Sequence, residues 1–373
     1  MIGNYAFTDC RNLKSIVIAN SVTSIGHQSF YGCQRLSSVT LPKHLTSISE
    51  KAFANCTKLQ TIDIPNSVTT IGEGAFASCS SLSSIAIPSS LTSINDNVFS
   101  ACSHLTTVTI PYGLISIEKH AFYVCSSLTN ISIPNSVTSI GEGAFASCHS
   151  LTSITIPNSV ISIGEKCFES CEALTSVILS NSITSITRRA FYNCQELSSI
   201  TFPDNLTSIG EGAFYACHKL NSVIIPNNVT SIGYIAFEYC RNMTYVIIGE
   251  NVKNIEAKAF KYCTNLTDVY CKTIDVPKTS SDAFEDSYPE YITLHVPNES
   301  INAFKAVAPW NKFKNIIAIN GDGPTPTDIK SNIKDNSNNN QYYTLKGELY
   351  DQPKHGINII RMSNGTTKKV IIK

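Results

Sequence analysis

The chain has 373 residues, of which 42% are hydrophobic and only 15% are charged. Lys and Arg together number 28, as do Asp and Glu, so the net charge is zero. Without a basic stripe, this balance argues against nucleic acid as a partner. No apolar run approaches the roughly 20 residues that a membrane-spanning helix needs, and we expect no transmembrane segment.

A phenylalanine recurs every 23 residues along most of the chain. A cysteine follows each of these phenylalanines by three residues, and a Leu or Met follows each cysteine by three. A sequence period of this length is typical of a solenoid, in which one structural unit is stacked many times. The repeated residues are Phe7, Phe30, Phe53, Phe76, Phe99, Phe122, Phe145, Phe168, Phe191, Phe214, Phe237 and Phe260.

One copy of the repeat shows how each coil is built. Residues 82–88 alternate apolar and small polar residues, which predicts a half-buried strand, and Pro88 ends it because proline cannot donate to the ladder. Leu91 and Ile94 lead the chain back, and a short helical segment is expected around Phe99. A coil of this size cannot bury its apolar side chains alone, so the coils must stack.

The pattern L-x-x-I-x-I-P-x-x-V-x-x-I-G-x-x-A-F-x-x-C resembles the BspA-like subfamily of leucine-rich repeat proteins. The resemblance spans residues 1–271 as twelve coils. It implies a β-rich, right-handed solenoid of short strands joined by short helical or 3-10 turns. It also implies a secreted or cell-surface protein without enzymatic activity. Such a protein would act in adhesion, with host matrix proteins or bacterial surface proteins as partners.

Fourteen cysteines could indicate a disulfide framework in an exported chain. Here, however, twelve of them occupy one slot of the coil and would lie about 4.8 Å apart, all pointing the same way. We therefore expect a buried ladder of free thiols, which pack as small hydrophobic groups. The short C-x-x-C clusters of metal sites do not occur in the array. A bond between Cys167 and Cys171 remains an alternative.

Both ends of the array depart from the repeat. Residues 1–3 align with residues 24–26 in the middle of a coil, so we expect further sequence upstream, including any export signal. Residues 272–319 carry an imperfect repeat with Phe284, followed by a stretch with Trp310. The resemblance implies that this stretch is a C-terminal cap, in which Trp310 packs in the core.

The remaining residues predict a linker and a small module. Residues 320–340 are polar, rich in Pro, Gly and Asn, and without periodicity, which is typical of a linker. Residues 341–373 predict three or four short strands. They are similar to the C-terminal modules of secreted Bacteroidetes proteins, which implies a role in sorting to the surface. A plain β-module is the alternative.

No catalytic, metal or cofactor motif emerges from the sequence. The eight histidines are scattered over different coil slots, and neither H-E-x-x-H nor G-x-S-x-G spacing occurs. Gly72 and Gly74 form a G-x-G that we interpret as turn residues, with a phosphate site as a remote alternative. We predict no enzyme, no cofactor and no metal.

A change in surface composition predicts where a partner binds. In the first nine coils, the strand residues expected on the concave face are mostly Ser and Thr, and later coils carry bulkier groups there. Tyrosines are typical of interface hot spots. The alternatives are that these residues pack under the cap, that aromatic residues such as Tyr245 and Tyr270 stack on glycans, or that the array is a structural spacer. The candidate binding residues are Ile178, Tyr192, Tyr215, Ile224, Tyr245, Ile247 and Tyr270.

Overall fold

The computed structural model describes residues 1–319 in full and, beyond them, the backbone of four short strands. Its internal contacts divide the chain into two compact units, Met1–Lys219 and Leu220–Lys373. We call them unit 1 and unit 2. Both are built mainly as a parallel β-solenoid with little helix, as the repeat predicts.

Nine coils of unit 1 have a two-residue strand and six of these also have a longer strand, and the strands pair in parallel with strands of neighbouring coils. The register keeps the 23-residue period, so that Ile85 lies beside Val108 and Ile94 beside Ile117. The longer strands are Ser15–Val17, Ser38–Thr40, Ser84–Ala86, Thr107–Thr109, Ser153–Thr155 and Ser176–Ile178. The two-residue strands are Ser24–Ile25, Ser47–Ile48, Thr70–Ile71, Ser93–Ile94, Ser116–Ile117, Ser139–Ile140, Ser162–Ile163, Ser185–Ile186 and Ser208–Ile209.

The segments around the repeated phenylalanines are hydrogen-bonded turns rather than the short helical pieces that the sequence predicts. In one coil, Asn97 and Ala101 have φ angles of 58° and 59°. A left-handed residue at these two slots interrupts the right-handed helical path. The turns also pair between coils, since the Phe99 amide donates to the Ala121 carbonyl at 2.9 Å.

The core of unit 1 contains a continuous column of phenylalanine rings. From Phe7 to Phe214, successive ring centroids lie 5.0 to 5.7 Å apart, with ring planes within 13° of parallel. The rings from Phe30 onward are fully buried. Like residues therefore stack directly above one another, as the period predicts.

The cysteine ladder lies beside this column and has a polar role as well as an apolar one. All fourteen cysteines are free, and all except Cys10 are buried. The Cys125 thiol donates to the Phe99 carbonyl at 3.2 Å, and the same contact recurs from coil to coil. In unit 2, Ser287 replaces the cysteine, and its hydroxyl donates to the Phe260 carbonyl at 2.6 Å. The side chain at this position is therefore small and donates a hydrogen bond to the carbonyl of a phenylalanine in the core column.

Unit 2 contains a five-stranded parallel sheet. Phe237, Phe260 and Phe284 stack at 5.3 and 5.2 Å, and Trp310 and Phe313 pack against Phe284 at centroid distances of 5.5 and 5.2 Å. Trp310 is completely buried.

The strands of the five-stranded sheet of unit 2 are Ser222–Ile224, Tyr245–Ile248, Asp268–Cys271, Thr293–Val296 and Asn315–Ala318. The two-residue strands are Ser231–Ile232, Asn254–Ile255 and Lys278–Thr279. The helical elements are the 3-10 helices Pro289–Tyr291, Asn298–Ser300 and Trp310–Lys312 and the α-helix Ile301–Ala306.

The last part of unit 2 is antiparallel. Its strands are Gln341–Tyr343, Leu349–Tyr350, Gly356–Arg361 and Thr367–Ile372, and the Gln341–Tyr343 strand pairs with both the second and the third. The linker predicted at 320–340 lies outside the described residues. Within the described residues, no helix is long and apolar enough to cross a membrane.

Candidate functional site

The longer strands of unit 2 present two rows of outward side chains. In the strand Tyr245–Ile248, Val246 and Ile248 point into the core and are completely buried. Because side chains alternate along a strand, Tyr245 and Ile247 point outward. We call this outward surface of the five strands the strand face of unit 2.

Parallel pairing aligns the bulky residues of this face in one row. Ile224 lies beside Ile247, and Ile247 beside Tyr270. The row continues through His295 to Ile317, which is 43% exposed. The structure therefore brings together four of the predicted residues: these three and Tyr245, which sits in the adjoining outward row.

Ile247 is not an open contact residue, contrary to the expectation for a surface position. Only 3% of it is exposed, although it points away from the core. Its neighbours in the row, Ile224 and Tyr270, are both large and lie one strand to either side. Adjacent strands are only about 4.8 Å apart, so these side chains cover it. Ile247 is thus covered on the outward side of the sheet and is not itself exposed.

Tyr270 is held in place by a hydrogen-bonded neighbour. Its ring stacks on the His295 ring with centroids 4.1 Å apart. His295 Nε2 lies 2.9 Å from Asp268 Oδ1, and the Thr267 hydroxyl donates to the other Asp268 oxygen at 2.8 Å. These contacts fix both rings, so that little side-chain entropy remains to be lost on binding.

The environment of Tyr270 also keeps its hydroxyl protonated. Burial, followed by the nearby Asp268 carboxylate and Tyr245, raises the pKa of Tyr270 to about 12. A tyrosine is neutral at physiological pH even without this shift, and the raised pKa extends its neutral range to higher pH. The ring offers an apolar surface together with a hydroxyl that can donate a hydrogen bond.

His295 is the member of this face that the sequence did not single out. It follows Tyr270 by 25 residues rather than 23, because the repeat lengthens after Cys271. A search with a constant period of 23 residues therefore does not identify His295. The strand-like sequence at 294–297 was the available signal, since it predicts a strand whose outward residue is His295.

The remaining predicted residues lie in unit 1 and on two different parts of its coil. Ile178 is on a longer strand beside Thr155 and is 63% exposed. Tyr192 and Tyr215 directly follow repeated phenylalanines and lie on the turn segments. Their rings stack at 4.4 Å, and the Arg189 guanidinium lies 4.7 Å from the centroid of Tyr192. The two tyrosines therefore do not share a face with Ile178.

The glycines of the G-x-G stretch are explained by backbone geometry. Gly74 has a φ of +59°, a conformation that glycine adopts without strain. A Cβ on Gly72 would lie only 2.4 Å from the Glu50 amide nitrogen, so the two coils touch there. No helix begins at this point, and the helix terminus that favours phosphate is missing. Among the described residues, no group of three His, Cys, Asp or Glu side chains could hold a metal ion.

The coil geometry, the phenylalanine column and the outward strand rows define a leucine-rich repeat solenoid. The BspA type leucine rich repeat region matches residues 1–126, 92–198, 115–234 and 184–307, and the chain belongs to this family. BspA-like leucine-rich repeat proteins are surface-associated proteins that take part in protein interactions.

Two solved structures share this fold. A leucine-rich repeat protein from Bacteroides ovatus is 26% identical over 75% of this chain and 87% of its own, with a TM-score of 0.57. The pneumococcal vaccine antigen PcpA is 20% identical over 86% of this chain and 92% of its own, with a TM-score of 0.54. A leucine rich cell surface protein from Faecalibacterium prausnitzii is 31% identical over 65% of this chain and 81% of its own, with a TM-score of 0.43. A comparison with curated proteins gave no match.

Proposed function

We propose that this protein is a non-enzymatic binding protein, secreted or displayed at the cell surface, that docks another protein on the strand face of unit 2. The candidate partners are host matrix proteins and surface proteins of neighbouring bacteria. The observation that carries the proposal is the preordered pair of Tyr270 and His295, flanked by Tyr245 and the apolar row. Rigid tyrosines at the centre of a packed patch are characteristic of binding hot spots.

The contrast with unit 1 supports this location. The slots equivalent to Tyr245 and Tyr270 are occupied there by Thr107 and Thr109, both exposed. Short hydroxyl side chains offer little contact area, whereas each tyrosine adds a large apolar surface with few rotatable bonds. Binding energy is therefore expected from the tyrosine-bearing strands.

The geometry favours a protein partner over a glycan at Tyr270. One face of its ring is covered by His295 at 4.1 Å, and Ile247 lies beside it in the row on the other side. A sugar stacks on the open face of an aromatic ring, and Tyr270 is flanked on both sides. Its edge and hydroxyl are the parts best placed to meet a partner.

The test compares a double variant at the two tyrosines with its matched control. The whole protein is first used to capture partners from panels of matrix proteins and bacterial surface proteins, and affinities are then measured by biolayer interferometry. Tyr245→Ala with Tyr270→Ala should weaken binding by at least about tenfold, as expected for hot-spot residues. Thr107→Ala with Thr109→Ala should leave the affinity unchanged.

Three outcomes would count against the proposal. Equal affinity of both variants for the captured partner would show that the binding site lies away from these strands. Loss of a glycan-array signal without loss of protein binding would favour the glycan-binding alternative. Failure of the unaltered protein to bind any member of the panels or the array would favour a structural spacer.

We also propose that residues 341–373 act in sorting to the surface. The four antiparallel strands and the resemblance to C-terminal modules of secreted Bacteroidetes proteins support this role. Deleting these residues should abolish surface display in a Bacteroidetes host while leaving the array folded, as checked by surface labelling and circular dichroism. Unchanged surface labelling would refute it.

A further inference from the structure

A depression on the turn segments of unit 1 arises from two small residues in one coil. Two slots of each turn project outward: the residue two before the repeated phenylalanine and the residue directly after it. In the coil of Phe145 these slots hold Gly143 and Ala146. The coils on either side carry larger groups there, including His120 and Tyr123. The stacked register leaves a cavity of about 350 Å³, which we call the Gly143 pocket.

Glycine leaves the base of this pocket without a side chain. Gly143 has a φ of +57°, and a Cβ there would lie 2.4 Å from His120 Cδ2. The imidazole therefore packs directly over the glycine backbone. The absence of a side chain in this coil both admits the imidazole and keeps the cavity open.

Two cations and one carboxylate line the pocket, namely Lys166, Arg189 and Glu169. Arg189 Nη1 lies 3.6 Å from Glu169 Oε1, and Lys166 Nζ lies 3.8 Å from Glu142 Oε1. Both separations exceed a normal hydrogen bond. Glu142 is already engaged by Lys119 at 2.8 Å. Arg189 Nε is buried and has no hydrogen-bond partner among the residues that the structure describes. Both cations thus form only long ion pairs, and the lining keeps one positive charge in excess of Glu169.

The rest of the lining suits a polyhydroxylated ring. Ser147 and Ser170 contribute hydroxyls, and Tyr123 forms an aromatic wall that is 39% exposed. Burial, with the charges of Lys119 and Lys166, lowers the pKa of His120. Its imidazole is thus neutral at physiological pH and can both donate and accept a hydrogen bond.

We propose that the Gly143 pocket binds a carboxylate-bearing sugar residue, independently of the strand face of unit 2. Lys166 and Arg189 hold the carboxylate, because charge-assisted hydrogen bonds are the strongest available here. His120, Ser147 and Ser170 meet ring hydroxyls, and the ring lies against Tyr123. A volume of about 350 Å³ falls at the lower end of small-molecule sites, which matches a single sugar ring.

A second depression on the same unit provides a natural control. It has a volume of about 460 Å³ and is lined by Tyr31, Lys51 and Ala77 among others. Its cation is already committed, since Lys51 Nζ lies 2.7 Å from Glu50 Oε1. Both depressions contain a tyrosine and a cation, and they differ in how closely the cation is paired with a carboxylate.

The experiment measures binding of free glucuronate to the full chain by isothermal titration calorimetry and saturation-transfer NMR. Glucose, acetate and inorganic phosphate are titrated in parallel. Glucuronate should bind at one site, and each of the other three should bind at least about tenfold more weakly. Glucose binding as tightly as glucuronate would overturn the role of the cations. Acetate or phosphate binding as tightly would overturn recognition of a sugar ring.

Variants locate the site. Ala146→Tyr fills the pocket with a residue that other coils carry in the same slot, such as Tyr123, so the fold should tolerate it. Binding should be lost in this variant and kept in Ala77→Tyr, which fills the second depression. Lys166→Gln should weaken binding about tenfold, the loss of one charged contact. Unchanged binding in Ala146→Tyr, or no saturable binding to the unaltered protein, would overturn the proposal. None of these variants alters the strand face of unit 2, so its protein partner should still bind.

Discussion

Replacing Phe145 with alanine removes one ring from the middle of the phenylalanine column. The side chain is completely buried and stacks on Phe122 at 5.5 Å and on Phe168 at 5.6 Å. Truncating a buried phenylalanine costs about 3 to 5 kcal/mol of stability. The variant also loses two ring contacts, each worth about 0.5 to 1.5 kcal/mol, so we expect a loss of stability toward the upper end of this range. The cavity cannot close easily, because the backbone ladders fix the spacing of the coils.

Phe7→Ala is the matched control within the same column. Phe7 is partly exposed and stacks on Phe30 at 5.0 Å, so its loss should cost only about 1 to 2 kcal/mol. Urea denaturation should be followed by circular dichroism and by fluorescence of Trp310, the single tryptophan. Coincident transitions would show cooperative unfolding and permit a two-state analysis. A loss below about 1 kcal/mol for Phe145→Ala, or a loss equal to that of Phe7→Ala, would refute the idea that the column stabilises the fold.

The remaining predictions concern the thiols and the glycines. In the native protein only Cys10 should react rapidly with a thiol reagent, because the other thiols are buried. In denaturant all fourteen cysteines should react. Rapid reaction of several cysteines in the native protein would contradict the buried ladder of thiols. Burial raises the pKa of Cys102 and Cys148 to about 12 from an ordinary 9.0. The folded state therefore keeps protons that the unfolded state loses, so this contribution to stability is full below about pH 9 and is lost as the pH rises toward about 12. The urea midpoint should accordingly fall above about pH 9, and a flat or rising midpoint would argue against buried thiols. Gly72→Ala should lower the stability by about 2 to 3 kcal/mol, because the added Cβ meets the Glu50 backbone. Gly74→Ala should lower it by about 1 kcal/mol through the positive φ alone. Thermal melts that give the reverse order would contradict the contact between coils.

The sequence by itself determined the repeat, the identity of the stacked core residues and the alternation of each strand. A fixed 23-residue step places like residues in like slots, and close packing then requires them to stack. The buried positions of Phe145 and Cys125 follow directly from that step. The same step indicated a change of surface at Tyr245 and Tyr270, because outward slots can be read by alternation.

Only the tertiary structure decided which outward residues are open and which are grouped. Ile247 is covered because its neighbours on adjacent strands are both large, and His295 joins Tyr270 because the repeat lengthens just before it. Tyr192 lies on a turn segment rather than on the strands. The Gly143 pocket exists because one coil has small residues between two coils that carry large ones. Exposure and grouping depend on contacts between neighbouring coils, and those contacts depend on side-chain directions that the period of the sequence does not specify.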